Sequence, residues 1–205
     1  PKSRTGLMTE VTSERSREIE AELLKNSRPA RYICFIKNKN YQCVLNTLSA
    51  NKMPLRRTRV NFHHGGTFEF HGDSLAYLVP IYSIAPFGDP NDPVHPYGAE
   101  LIDIGAVDAQ RDKAATLYGS ADFLGLHNYL YPPLDREVPI VKSPMRWIQQ
   151  GGFGICPLTD MANSKLANDN RGLYLVANKD EASAIDKDLK PHRPKLAEVM
   201  VRAPR

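Results

Sequence analysis

The sequence has few of the features that mark secreted or membrane proteins. It contains only three cysteines, an odd number with no Cys-x-x-Cys pair, which is typical of a reduced protein rather than a disulfide scaffold. No apolar run approaches the roughly 18 residues of a membrane span, and no signal-peptide pattern opens the chain. We therefore expect a cytoplasmic protein with no membrane partner, whose cysteines (Cys34, Cys43 and Cys156) are buried thiols among apolar residues.

Several nucleotide-binding and nucleic-acid-binding signatures are also absent. The glycine-rich run 151–154 lacks the Lys-Ser/Thr that completes a phosphate-binding loop. No helix-turn-helix or zinc-finger pattern is present. The net charge is only +4 over 205 residues, which excludes a histone-like tail as the whole protein.

What the sequence does contain indicates an ordinary globular domain rich in strands and loops. Its length supports one domain with its own core, and 16 prolines with 13 glycines favour β-structure over a helical bundle. Charge is distributed unevenly: residues 1–60 carry 13 basic and 5 acidic side chains, 61–135 carry 2 and 10, and 136–205 carry 12 and 8. An acidic centre with a basic periphery is compatible with a cation-binding core, and equally with a solvated surface.

Hydrophobic periodicity divides the chain into three parts: a flexible basic arm 1–11, a core 12–150 and a C-terminal extension 151–205. The class is a β-rich α+β fold with N-terminal helices and an α/β extension. Predicted helices cover 12–26, 41–51, 159–168 and 180–189; predicted strands cover 32–36, 58–63, 67–71, 75–84, 99–105, 116–126, 128–131, 138–141, 146–148 and 173–177.

One short segment carries residues with metal-binding chemistry. If 67–73 is a strand, its period of two places Glu69, His71 and Asp73 on one face, while Phe68 and Phe70 point the other way. An imidazole and a carboxylate then converge. A third ligand, His127, lies in a second predicted strand. Two histidines and one carboxylate form the facial triad that holds non-haem Fe(II) in oxygenases.

The lead-in to this segment resembles a known family. Phe62, Gly65 and Phe68 precede His71 and Asp73 with the aromatic, glycine and aromatic spacing of prolyl-hydroxylase-like Fe(II)/2-oxoglutarate-dependent dioxygenases. His127 follows at the family's distance, Arg136 lies nine positions later, and Pro132 and Trp147 are similar in placement.

The resemblance implies a fold, two cofactors and residue roles. The core 12–150 would be a double-stranded β-helix, or jelly roll, with iron bound by His71, Asp73 and His127. Arg136 would bind the far carboxylate of 2-oxoglutarate, with Lys142 and Arg146 as rivals for that role. The expected activity is hydroxylation of a small-molecule or peptide substrate.

A second hypothesis comes from a different class of protein. Arg56, Arg57 and Arg59 form a basic cluster that predicts either a phosphate-binding face for nucleic acid or a solvated basic edge. The chain would then be a non-enzymatic α+β module of a larger assembly, such as a viral one, that binds through its basic ends 1–59 and 186–205. The two hypotheses differ on one structural point: only the oxygenase requires its three ligands to meet.

Overall fold

A computed structural model describes residues 5–30, 55–84, 100–108, 110–132, 137–169 and 174–193, with the side chains of the first helix from Glu14 onward. The helices are α1 (Thr5–Asn26), α2 (Leu126–Leu130), α3 (Pro144–Gln149), α4 (Asp160–Ala167) and α5 (Lys179–Leu189), followed by a 3₁₀ turn (Lys190–His192). The strands are β1 (Arg28–Pro29), β2 (Arg56–Phe62), β3 (Phe68–Phe70), β4 (Ser74–Ile84), β5 (Glu100–Asp108), β6 (Ala114–Thr116), β7 (Phe123–Leu124), β8 (Val138–Pro139), β9 (Cys156–Pro157) and β10 (Tyr174–Leu175).

An antiparallel sheet organises the molecule. Its strands follow the order β1-β2-β4-β5-β6, with β3 paired to β2, and β4 and β5 form the long centre. Two further two-stranded pairs, β7 with β9 and β8 with β10, lie outside it. The predicted α+β class is confirmed. Across the described ranges the strands form an open sheet and do not close into a barrel.

The two faces of the sheet are covered by different parts of the chain. On one face, Ile19 and Leu23 of α1 pack against Val60, Leu78 and Ile104. On the other face, a larger apolar cluster combines residues of β4 and β5 with residues of β7, α3 and the position just before β9: Tyr77, Val79, Val107, Phe123, Trp147, Ile148 and Ile155. Alternation along the strands separates these sets, because neighbouring residues point to opposite faces.

Polar contacts fasten α1 to its face of the sheet. The Ser16 hydroxyl both accepts a hydrogen bond from the Leu101 N–H and donates to the Leu101 carbonyl, each at 3.0 Å. The Arg15 guanidinium lies 4.5 Å from the centroid of the Tyr118 ring, whose hydroxyl donates to the Glu22 carboxylate. The helix begins at Thr5, so the segment 1–11 predicted as a flexible arm is helical from that residue.

Two predicted strands are helices in the structure. Residues 146–148 belong to α3, because the Ser143 hydroxyl accepts the Arg146 N–H at 3.0 Å and Pro144 occupies the first turn, where its missing N–H costs nothing. Residues 128–130 belong to α2. The helices predicted at 159–168 and 180–189 are confirmed as α4 and α5, each with an N-cap side chain, Thr159 and Asn178. The predicted elements at 32–36 and 41–51 lie outside the described residues.

Candidate functional site

The first two predicted iron ligands lie on an exposed turn. Strand β3 ends at Phe70, one residue before His71, and His71 takes a left-handed backbone with φ of 68°. The alternation that was expected to place His71 beside Asp73 is broken by that conformation. Both side chains are exposed, and the His71 N–H donates to the Arg59 carbonyl at 3.1 Å.

His127 lies in a different environment. It is buried in α2 rather than on a strand, and burial lowers its pKa from 6.5 to about 4. The backbone of Gly154 holds this helix in place. Gly125, with φ of 71°, precedes the helix. The Gly154 carbonyl accepts hydrogen bonds from the Asn128 side-chain amide at 3.0 Å and from the Trp147 indole N–H at 3.1 Å.

The described residues do not form a preassembled iron centre. Among them, no three or more His, Cys, Asp or Glu side chains form a group that could hold a metal ion, so His71, Asp73 and His127 do not meet at one. The predicted 2-oxoglutarate anchor, Arg136, lies outside the described residues. Its rivals are paired within the chain: Lys142 with Asp188 and Arg146 with Glu181, each at 2.6 Å.

A basic groove forms where the end of α1 and strand β1 meet β2. It has a volume of about 520 Å³ and four basic lining residues, Lys25, Arg28, Arg57 and Arg59. The remaining described residues that line it are Asn26, Ser27, Thr58 and Leu75. None of these eight is acidic, and the Arg59 guanidinium donates a hydrogen bond to the Asp73 carbonyl at 2.6 Å.

Strand alternation divides the predicted arginine cluster. Arg57 and Arg59 line the groove, whereas Arg56 points to the α1 side, where it donates to the Ser27 hydroxyl and to the Ser27 carbonyl, both at 2.7 Å. Arg56 is thus a structural clamp that joins β2 to the end of α1. Arg57 and Arg59 therefore share one face of β2, and Arg56 lies on the other.

Arg28 and Arg57 are direct partners in the antiparallel β1–β2 ladder. Directly opposed side chains of an antiparallel pair have Cβ atoms about 5 Å apart, and like charges in that arrangement repel. Such a pair disfavours the fold by itself, but it concentrates positive charge at one point of the groove.

Sequence reasoning missed Lys25 and Arg28 as members of this groove. The helix stop at Asn26 and the following Pro29 could be read from the sequence, but β1 is only two residues long. Its pairing with β2, which lies 28 residues further on, carries no local signal. The only available signal was the positive charge of residues 1–60.

The single described cysteine behaves as expected from the sequence. Cys156 is fully buried in β9, and burial raises the pKa of its thiol, which keeps it protonated. Cys34 and Cys43 lie outside the described residues. The predicted buried thiol at position 156 is therefore confirmed.

No protein-family model, curated protein or solved structure matches the chain. Within the described part of the chain, no helix has the length and apolar character needed to cross a membrane.

Proposed function

We propose that this chain is a non-enzymatic α+β module that binds nucleic acid through its phosphate backbone at the basic groove. The observation that carries the proposal is the Arg28–Arg57 pair, with Lys25 and Arg59 lining the same groove and no acidic residue in its described lining. A polyanion relieves the repulsion within the pair, and phosphates are the groups that arginine forks bind best.

The local chemistry also suits an anion at this end of α1. A helix C-terminus exposes carbonyl oxygens that repel anions. Here the Ser27 hydroxyl donates to the Leu23 carbonyl, one of the last four of the helix, and the Asn26 amide donates to the preceding Glu22 carbonyl at 3.1 Å. The negative end of the helix is thereby partly satisfied, and Lys25 adds a positive charge beside it.

The test is a binding titration with matched charge variants. A short fluorescent DNA duplex is titrated at about 50 mM salt with the wild-type protein, with Arg57→Gln and with Arg111→Gln. Arg111 is an exposed arginine in the turn between β5 and β6, outside the groove, so its variant removes the same charge elsewhere. We expect Arg57→Gln to weaken binding roughly tenfold and Arg111→Gln to change it little. Equal losses in both variants, or no binding by the wild type, would overturn the proposal.

The second candidate, an Fe(II)- and 2-oxoglutarate-dependent oxygenase on a jelly-roll core, rests on the sequence motif alone and would require a rearrangement that brings His71, Asp73 and His127 together. Its test is anaerobic titration with Fe(II) and then 2-oxoglutarate, followed by measurement of succinate on admission of air. A visible charge-transfer band that is lost in His71→Ala would support it, and the absence of iron binding would exclude it.

A further inference from the structure

Neutral polar side chains in the basic groove are already engaged within the protein. The Asn26 amide bonds the Glu22 carbonyl, and the Ser27 hydroxyl bonds the Leu23 carbonyl while it accepts the Arg56 Nε–H. Asparagine amides are the side chains that read adenine, and hydroxyls are adaptable readers of base edges. With both engaged, the remaining side-chain donors of the groove are mainly its cations, which bind phosphates and can also bind guanine edges where they reach the major groove.

The third neutral polar residue of the groove, Thr58, lies between Arg57 and Arg59 on β2. Alternation therefore turns its side chain toward the opposite face of the sheet. The two arginines that flank it lie on one face, about 6.8 Å apart along the strand. Two cations at that spacing suit successive phosphates along a strand, and they do not form a pocket for a single base.

The elements around the groove are not free to enter the major groove of DNA. Base reading in the major groove requires a helix or a two-stranded ribbon that projects from the protein. Helix α1 buries Ile19 and Leu23 against the sheet, and β2 pairs with β1, β3 and β4. These elements offer a surface for the outside of a duplex.

We infer that the basic groove binds the sugar-phosphate backbone of duplex nucleic acid without regard to base sequence. This inference rests on the proposed function and adds that the ligand is a duplex and that its base sequence does not affect binding. Binding energy then comes from counterion release by the cations, which every duplex sequence supplies equally.

The experiment compares three DNA duplexes of equal length, one of A·T pairs, one of G·C pairs and one of mixed sequence. Each is titrated with the wild-type protein and with Arg57→Gln at the same salt concentration. We expect the three dissociation constants to agree within about threefold, and Arg57→Gln to weaken all three by the same factor.

The outcomes separate this inference from the proposed function. If one duplex binds tenfold or more tightly than the others, or if Arg57→Gln weakens only one of them, the groove reads bases and the inference is wrong while nucleic-acid binding stands. If no duplex binds, the proposed function itself fails.

Discussion

Arg28 lies directly opposite Arg57 where the two-residue strand β1 pairs with β2. Like charges in direct cross-strand register oppose folding by roughly 0.2–1 kcal/mol. Both residues line the same groove, together with Lys25 and Arg59. Repulsion of this kind is expected where charge is placed for a ligand rather than for stability.

Replacing Arg57 with an acid should therefore stabilise the free protein. Arg57→Glu converts a repulsive cross-strand pair into an attractive one, so the free energy of unfolding at low salt should rise by about 0.5–1 kcal/mol. The gain should shrink as salt is added, because both groups are partly exposed. Urea denaturation at two salt concentrations measures it, with Arg111→Glu as the control. A less stable Arg57→Glu protein would show that the register does not produce net repulsion.

Asp103 should be one of the most sensitive positions in the sheet. Its buried carboxylate accepts three backbone hydrogen bonds, from Ile104 at 2.8 Å, Tyr118 at 3.0 Å and Ser120 at 2.7 Å. Asp103→Ala leaves these donors without acceptors and should lower the free energy of unfolding by about 3 kcal/mol or more. Asp103→Asn should lose less stability, because its amide oxygen still accepts the Ile104 and Tyr118 N–H groups. It should lose some, because its NH₂ group then faces the Ser120 N–H. Thermal denaturation of both variants checks this order, and equal losses would contradict it.

His127 should make the protein less stable in mild acid. Burial lowers its pKa in the folded protein to about 4, below the 6.5 of an exposed histidine. The unfolded chain then binds a proton before the folded one, so His127 opposes folding increasingly as pH falls from 6.5 to about 4, by about 3 kcal/mol in all. Above pH 6.5 it has no such effect.

The variant His127→Gln tests this assignment by its pH dependence and not by its absolute stability. The free energy of unfolding should vary less between pH 7 and pH 4 in His127→Gln than in the wild type. His64→Gln, which changes an exposed histidine, is the matched control. If His127→Gln and the wild type had the same slope, the buried imidazole would not be its source.

Gly125 should tolerate no side chain. A Cβ added there would lie 2.1 Å from the Gly154 carbonyl oxygen, and the residue has φ of 71°. Gly125→Ala should therefore displace the Gly154 carbonyl, which accepts the Asn128 and Trp147 hydrogen bonds. The free energy of unfolding should fall by about 3 kcal/mol or more. Gly65→Ala is the matched control, because a Cβ at Gly65 meets no atom within 4 Å. Similar melting temperatures for the two variants would contradict this contact.

The sequence predicted those elements whose signals are local. Helix α1 could be recognised from the spacing of Ile19 and Leu23, and strand β4 from its dense β-branched and aromatic residues. Helix α3 was missed because the three large residues 146–148 in a row resemble a strand. The N-cap Ser143, which marks the start of a helix, lies outside that run.

The candidate site depended on relationships that are not local. The prediction placed Arg56, Arg57 and Arg59 together, but only pairing partners reveal that Arg56 faces Ser27 and the other two face the groove. Similarly, the His71 and Asp73 spacing assumed a continuing strand, and the left-handed backbone of His71 ends it. Spacing in sequence predicts a shared face only while the strand persists.

The most direct test of nucleic-acid binding at the basic groove is the salt dependence of duplex affinity. Four groove cations that each neutralise a phosphate predict a dissociation constant that rises about 100-fold between about 50 and 200 mM salt. In the double variant Arg28→Gln/Arg57→Gln the rise should fall to about tenfold, because two phosphate contacts are removed. An affinity that does not respond to salt, or a double variant with the wild-type response, would contradict binding at this groove.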